Sequence, residues 1–192
     1  MSRTRNRCLR GAPAALLCLL ALAGCGSEGG PSARIDYDKA LAGAPPPLAS
    51  LYAQPNELLA GGRDAFERRV AALHGHPVVV NKWASWCGPC RAEFPHFQRL
   101  SARLGKKVAF LGVDSDDSED AARTFLGEFP VPYPSYSDPD EEVAAAIKAT
   151  LGFPSTAYYD SSGKLVYTKQ GGYANQGELL ADIRRYALGA GG

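Results

Sequence analysis

Two cysteines, Cys87 and Cys90, are the residues of this sequence whose type and spacing point most directly to chemistry. They stand on either side of Gly88 and Pro89 in the stretch WASWCGPCRAEFP. A Cys-x-x-Cys pair can alternate between a dithiol and a disulfide, and it can also supply two ligands to a metal ion. The chain has only five cysteines in 192 residues, so the fate of the other three decides which chemistry is open.

The first 25 residues contain the other three cysteines. A basic stretch precedes the apolar run AALLCLLALAG at residues 14–24, which is much shorter than the roughly 20 residues that span a bilayer. This order predicts a lipoprotein signal peptide over residues 1–24, because LAGC at residues 22–25 resembles a lipobox. Cys25 is then the predicted lipidation site and the first residue of the mature protein. An ordinary secretory signal is the alternative.

Cleavage before Cys25 would discard Cys8 and Cys18 and leave Cys87 and Cys90 as the free thiols. Lipid on Cys25 would anchor the protein at the bacterial cell membrane, facing the extracytoplasmic side, where disulfides persist. No further cysteines would be available for a structural disulfide framework. The remaining pair is therefore predicted to be redox-active or metal-binding.

The charge of the mature chain argues against nucleic-acid binding. Removing residues 1–24 takes away four of the 21 basic residues and none of the 20 acidic ones, which leaves 168 residues with a net charge of −3. No Lys/Arg cluster remains to contact phosphates, and no second long apolar run predicts a further membrane span. A chain of this length is sufficient for one domain with its own hydrophobic core.

Zinc fits the sequence poorly, because a structural zinc site needs about four ligands. Beyond the Cys pair the chain offers three histidines, His74, His76 and His96. His96 follows Cys90 by six residues, which is an unfavourable position on the same helix. No metal site is predicted. Transient Cu(I) binding by the two thiolates stays open as a non-enzymatic alternative.

Helical and strand patterns alternate along the rest of the chain. The Gly-, Pro- and Ala-rich residues 25–55 predict a flexible tether, and residues 56–190 predict one domain. Within it, the run PVVVNKWA predicts a central strand that leads into a helix at the cysteines. Residues 140–152 predict a helix that ends at glycine, and the segments around SSGK predict a hairpin. Strands alternating with helices, followed by a hairpin, predict an α/β domain with a mixed sheet.

The stretch WASWCGPCRAEFP, together with GFPST at residues 152–156 and the order of elements, resembles the TlpA/ResA-type thiol–disulfide oxidoreductases of the thioredoxin-like superfamily. The resemblance covers about residues 56–188. It implies a thioredoxin-like fold, in which helices flank a central mixed β-sheet and a strand–helix insertion lies between about residues 118 and 150. It also implies a membrane-tethered enzyme that acts outside the cytoplasm.

Helix position and the resemblance together suggest roles for three residues. Cys87 would lie at the amino terminus of the helix, where unpaired N–H groups favour a thiolate, and is the expected nucleophile. Cys90, almost one turn later, would resolve the mixed disulfide. Glu93 lies on nearly the same helical face, where the family uses a carboxylate as a proton shuttle; a solvent-exposed helix acid is the alternative. Asn81 replaces the aspartate of plain thioredoxins, which favours the shuttle role for Glu93.

The resemblance also identifies the residues that are expected to bind substrate. They are Trp86, Gly88, Pro89, Phe153 and Pro154. Pro154 would form the cis-proline that faces the cysteines, and Phe153 would offer its backbone to an extended peptide. Lys82 departs from the apolar residue that the family usually places in this strand, and the sequence leaves its role open.

The implied function is thiol–disulfide exchange on extracytoplasmic proteins, with the Cys pair as the redox centre and no cofactor. Reducing thioredoxins share the Gly-Pro dipeptide. It therefore favours a protein-disulfide reductase that a membrane electron donor recharges, for example in cytochrome c assembly. A disulfide oxidase or isomerase is the alternative within the same chemistry. The protein is expected to be a monomer with no nucleic-acid partner.

Overall fold

The computed structural model describes residues 34–189. The strands are β1 Leu58–Leu59, β2 Val78–Trp83, β3 Ala109–Ser115, β4 Ser135–Asp138, β5 Ser155–Tyr159 and β6 Leu165–Gln170. The helices are α1 Tyr37–Leu41, α2 Pro46–Tyr52, α3 Gly62–Ala72, α4 Gly88–Leu104, α5 Glu119–Glu128, α6 Glu142–Ala146 and α7 Gln176–Asp182, which continues as a π-helical turn over Ile183–Ala187. Within this part of the chain, no helix combines the length and apolarity that crossing a membrane requires.

One mixed sheet holds all six strands in the order β1-β4-β3-β2-β5-β6. Strand β2 pairs in parallel with β3 and antiparallel with β5, and β5 and β6 form the predicted antiparallel hairpin. Every residue of β2 and β3 is buried. Helices cover both faces of the sheet, so the side chains of these two strands cannot reach water. The predicted α/β fold with a mixed sheet and flanking helices is confirmed.

The two faces of the sheet carry separate hydrophobic cores. On one face, helices α4, α5 and α7 pack against side chains such as Val79 and Trp83 of β2. On the other face, helices α2, α3 and α6 pack against Val78 and Val80. Successive residues of β2 point to opposite faces, so neighbouring positions of this strand serve different cores. This alternation later matters for Asn81 and Lys82.

Residues 37–52 belong to the folded domain, which corrects the flexible tether predicted for them. Leu48 and Leu51 of α2 are completely buried against the sheet. The prolines that suggested a tether instead occupy the start of α2, where a missing N–H removes no helical hydrogen bond. Residues 25–33, and with them the predicted lipidation site, lie outside the described residues.

The helix predicted for residues 140–152 is shorter than expected, because α6 ends at Ala146. Lys148 adopts a left-handed conformation with φ of 59°, which an α-helix does not accommodate. Two backbone carbonyls beyond the end of α6 accept hydrogen bonds from side chains of the sheet. The Ile147 carbonyl accepts a hydrogen bond from Thr168 Oγ1 at 2.6 Å, and the Ala149 carbonyl accepts one from Lys82 Nζ at 3.0 Å. These tertiary contacts outweigh the helical propensity of the alanine-rich sequence.

Candidate active site

The two cysteines lie where strand β2 leads into helix α4. Cys87 is the N-cap of α4, and its Sγ accepts a hydrogen bond from the backbone N–H of Cys90 at 3.1 Å. The structure contains a Cys87–Cys90 disulfide, with the two Cα atoms 5.3 Å apart. Cys90 is fully buried, whereas Cys87 retains 3% exposure. Cys87 is therefore the sulfur nearer to solvent, at the helix end where backbone N–H groups favour a thiolate.

An acidic loop supports the segment that precedes Cys87. The backbone N–H of Ser85 donates to the Asp117 carboxylate, and Trp86 Nε1 donates to the Asp116 carbonyl at 2.9 Å. Strands β2 and β3 are parallel neighbours, so the loops that follow them lie at the same edge of the sheet. Ser118 in the same stretch caps α5 by accepting a hydrogen bond from the backbone N–H of Ala121, as serine commonly does at a helix start.

Trp86 and Phe153 form an aromatic wall beside the cysteines. Their ring centroids are 4.9 Å apart in an edge-to-face arrangement. Trp86 is 57% exposed, which is unusual for a tryptophan and leaves a broad apolar surface next to Cys87. The Phe153–Pro154 peptide bond is cis, as the resemblance implied. Among the other residues expected to bind substrate, Gly88 and Pro89 are exposed and Pro154 is buried.

Glu93 is a buried carboxyl group on the core side of α4, with only 1% of its surface exposed. Its Oε1 accepts a hydrogen bond from Asn81 Nδ2 at 2.7 Å, and its Oε2 accepts one from the backbone N–H of Tyr173 at 3.0 Å. Burial raises the pKa of Glu93 to about 7. The two hydrogen bonds and the charge of Lys169 oppose this rise in pKa. Glu93 can therefore gain or lose a proton near neutral pH, as a proton shuttle must.

The backbone of Gly172 lies between the Glu93 carboxylate and the cis-proline. A Cβ placed on Gly172 would lie 3.4 Å from Glu93 Oε2 and 3.3 Å from Pro154 Cγ. The carboxylate is thus buried directly behind the loop that carries Pro154. Glu93 and Pro154 were both expected at the site, and the structure brings them to this common location.

Sequence reasoning missed three residues that support the site, Asp116, Asp117 and Tyr173. Asp116 contacts Trp86, Asp117 contacts Ser85 just before it, and Tyr173 contacts Glu93. These contacts span 30 to 80 positions of sequence. The position of the acidic stretch after β3 was a usable signal for the aspartates, because neighbouring parallel strands end at one edge. Tyr173 contributes its backbone N–H, and the residue type gives no signal for such a contact.

Across residues 34–189, no group of three or more His, Cys, Asp or Glu side chains is placed to hold a metal ion.

Residues 61–182 match the Redoxin family. This match spans more than half of the chain and includes both cysteines and Pro154. The chain belongs to the Redoxin family. The predicted thioredoxin-like fold agrees with a solved structural neighbour of this Redoxin-family chain, MTB dsbF in its mixed oxidized and reduced forms. That neighbour is 29% identical with a TM-score of 0.55, and the match covers 59% of this chain and 83% of that one.

Curated relatives of this Redoxin-family chain carry thiol–disulfide names. The thiol:disulfide interchange protein DsbE homolog of Paracoccus denitrificans is 43% identical over 94 residues, which cover 48% of this chain and 50% of the relative. The thiol-disulfide oxidoreductase ResA of Oceanobacillus iheyensis is 32% identical over 105 residues, or 54% of each chain. The chain spans about half the length of the curated relatives that it matches. These relatives confirm the resemblance to the ResA group.

Proposed function

We propose that this protein is an extracytoplasmic thiol–disulfide oxidoreductase that reduces disulfides in other proteins. The carrying observation is the Cys87–Cys90 disulfide at the amino end of α4, beside the aromatic wall and the cis-proline. Relatives named for thiol:disulfide interchange support the reaction class. The Gly-Pro dipeptide between the cysteines supports the reducing direction, because reducing thioredoxins share it.

The first step joins the enzyme to its substrate. The Cys87 thiolate attacks one sulfur of the substrate disulfide, so that a Cys87–substrate bond forms while the substrate S–S bond breaks. The released substrate sulfur leaves as a thiolate and takes up a proton. The N–H groups at the start of α4 stabilise the attacking thiolate, because Cys87 is the N-cap of that helix. The aromatic wall offers apolar surface to the polypeptide around the disulfide.

The second step releases the reduced substrate. The Cys90 thiol gives its proton to the ionised Glu93 carboxylate, and the Cys90 thiolate then attacks Cys87 Sγ. The Cys87–Cys90 bond forms, and the second substrate sulfur leaves and is protonated. Over both steps the substrate gains two electrons and two protons, and the Cys pair becomes the disulfide seen in the structure. A dithiol donor at the membrane must reduce the pair again before the next turnover.

The proposed setting of the reaction is supported by the sequence before residue 34. The signal peptide over residues 1–24 and lipid on Cys25 would place the domain on the extracytoplasmic face of the cell membrane. In that compartment, disulfides in proteins such as apocytochrome c are suitable substrates for a tethered reductase. The protein would act as a monomer and need no cofactor beyond its own Cys pair.

Equilibration of the purified protein in glutathione buffers tests the direction of exchange. We expect a reduction potential for the Cys pair near that of reducing thioredoxins, roughly −270 mV. We also expect the reduced protein to cleave the disulfide of a synthetic bridged peptide. A potential near about −120 mV, typical of a strong oxidant, would assign the protein to disulfide formation instead. Failure of the reduced protein to cleave any peptide disulfide would refute the proposed activity.

The lipid anchor is tested by Cys25→Ala in the full chain. We expect the wild-type protein in the membrane fraction and the variant in the soluble fraction, because a thioether-linked lipid requires the cysteine sulfur. Cys18→Ala is the matched control, since Cys18 belongs to the segment that the signal peptidase removes. Membrane association that survives in Cys25→Ala would exclude lipid on this residue as the anchor.

A further inference from the structure

Lys82 is a completely buried cation in the central strand of the sheet, with 1% of its side chain exposed. It lies on β2 and shares a face with Val78 and Val80, where the surrounding core is apolar. A buried ammonium group without partners is strongly unfavourable. Lys82 Nζ has three partners: the Glu141 carboxylate, the Ala149 carbonyl at 3.0 Å, and the face of the Phe153 ring, whose centroid lies 3.9 Å away.

All three partners lie in one stretch of chain, residues 141–153, that leads from α6 to the cis-proline. Part of this stretch is also held by side chains of β6. Gln170 Nε2 donates to the Lys148 carbonyl at 2.7 Å, and Thr168 Oγ1 donates to the Ile147 carbonyl. Lys82 adds an anchor from β2 and reaches the side chain of Phe153 itself. The charge therefore connects the central strand to the loop that carries the aromatic wall.

The Phe153 ring contacts both the Lys82 ammonium and the Trp86 ring. Trp86 in turn stands next to Cys87 and is largely exposed. We propose that Lys82 is a positioning residue, which holds Phe153 through a cation–π contact and thereby sets the aromatic wall against which a polypeptide disulfide docks. This role rests on the proposed function, because it assumes that the wall receives a polypeptide substrate.

The role predicts different effects on large and small substrates. Polypeptide docking needs the wall, whereas a small disulfide needs only an accessible Cys87 thiolate. Lys82 points to the face of the sheet opposite Glu93, since Asn81 and Lys82 are successive residues of β2. Loss of the ammonium should therefore disturb the wall and leave the chemistry of the Cys pair intact.

Lys82→Met tests the role, because methionine keeps much of the apolar stem and removes the charge. We expect the KM for a synthetic disulfide-bridged peptide to rise roughly 2- to 30-fold, the range that a cation–π contact supports. The rate with 5,5′-dithiobis(2-nitrobenzoate) should stay within about twofold of wild type. The chain has two tryptophans, so two indole N–H resonances are expected in NMR spectra, and the Trp86 resonance should move more than that of Trp83. Lys164→Met, which removes an exposed lysine from the hairpin turn, should change none of these values.

Two further variants keep the test decisive. If Lys82→Met does not fold, Glu141→Gln neutralises the half-exposed partner and should move the same Trp86 resonance. In a Phe153→Leu background, Lys82→Met should add no further increase in KM, because the two residues act in series. Equal losses with peptide and small disulfide, additive effects of the two substitutions, or an unmoved Trp86 resonance would each overturn the role. If the wild-type protein cleaves no peptide, only the proposed function is refuted. The Trp86 resonance would then still show whether Lys82 positions the aromatic wall.

Discussion

Cys90→Ser is expected to accumulate covalent mixed disulfides with substrate proteins, whereas Cys87→Ser is expected to accumulate none. Both variants should lose multiple-turnover reduction of a peptide disulfide by at least about 1,000-fold, because each removes one of the two sulfurs that the cycle requires. The two losses differ in their chemistry. Without Cys90, the first bond still forms and cannot be resolved; without Cys87, the first bond does not form.

The positions of the two sulfurs explain this asymmetry. Cys87 is the N-cap of α4, where its Sγ already accepts the Cys90 backbone N–H. Once the disulfide is reduced, the backbone N–H groups at the start of α4 stabilise a thiolate at Cys87. Cys90 is completely buried, so an incoming disulfide cannot reach it before Cys87 has reacted. In the reduced wild-type protein, Cys87 should consequently be alkylated faster than Cys90 at neutral pH.

Mass spectrometry of trapped complexes from cells that express the full chain provides the measurement. Peptide mapping identifies which cysteine carries the partner, and Cys87→Ser/Cys90→Ser serves as the control for non-specific capture. Iodoacetamide labelling of the reduced protein, followed over time, gives the two alkylation rates. Equal trapping by the two single variants, or equal alkylation of both thiols, would contradict the assigned order of attack.

Local sequence pattern was sufficient to predict the central elements of the fold. The β-branched run from Val78 to Val80 favours a strand that is covered on both faces. This strand ends at Trp83, shortly before the helix that carries the Cys-x-x-Cys pair. The segment at Leu48 and Leu51 was misjudged because its prolines and alanines resemble a spacer. The helix is stabilised because its two leucines are buried against a core whose other residues lie far along the chain. Local composition does not reveal that contact.

The sequence likewise predicts some features of the candidate site and not others. The position of Glu93 on the core face of α4 follows from helical spacing after Cys90, so its burial could be foreseen. Its second hydrogen-bond donor, the backbone of Tyr173, lies 80 residues away and could not. Lys82 is the clearest case, because its partners become known only when residues 141–153 fold over β2. A buried cation within an apolar strand signals that partners exist, without indicating which they are.

Glu93→Gln is expected to slow release of the reduced substrate roughly 10- to 100-fold at neutral pH, within or slightly below the range for general acid–base catalysis. The pKa of Glu93 is raised to about 7 by burial. Below this value the carboxyl is protonated and cannot accept the Cys90 proton, so the wild-type resolving rate should rise as pH passes through about 7. The variant lacks this titration, and its rate should rise only towards about 8.5, where an unassisted thiol ionises.

The same substitution should change how stability depends on pH. The folded-state pKa of Glu93 lies above its ordinary value of 4.5, so the folded protein binds the proton more tightly than the unfolded chain. The stability that the Glu93 proton contributes is therefore fully present below about pH 4.5 and is lost as the pH rises through about 7. The loss amounts to about 3 kcal/mol. The glutamine variant has no proton to lose. Its melting temperature should match wild type near pH 4 and exceed it by roughly 6–12 °C at pH 8.

Asn81 explains why glutamine should fit. Its Oδ1 is buried without a hydrogen-bond partner among residues 34–189, while its Nδ2 donates to Glu93 Oε1. Rotation of the Asn81 amide would present Oδ1 to the new amide N–H, and the variant's carbonyl could still accept from the Tyr173 N–H. The control is Glu67→Gln, a half-exposed acid on α3, which should leave both pH profiles unchanged. Identical rate and stability profiles for Glu93→Gln and wild type between pH 5 and pH 9 would exclude Glu93 as the proton acceptor and reduce it to a hydrogen-bonded core residue.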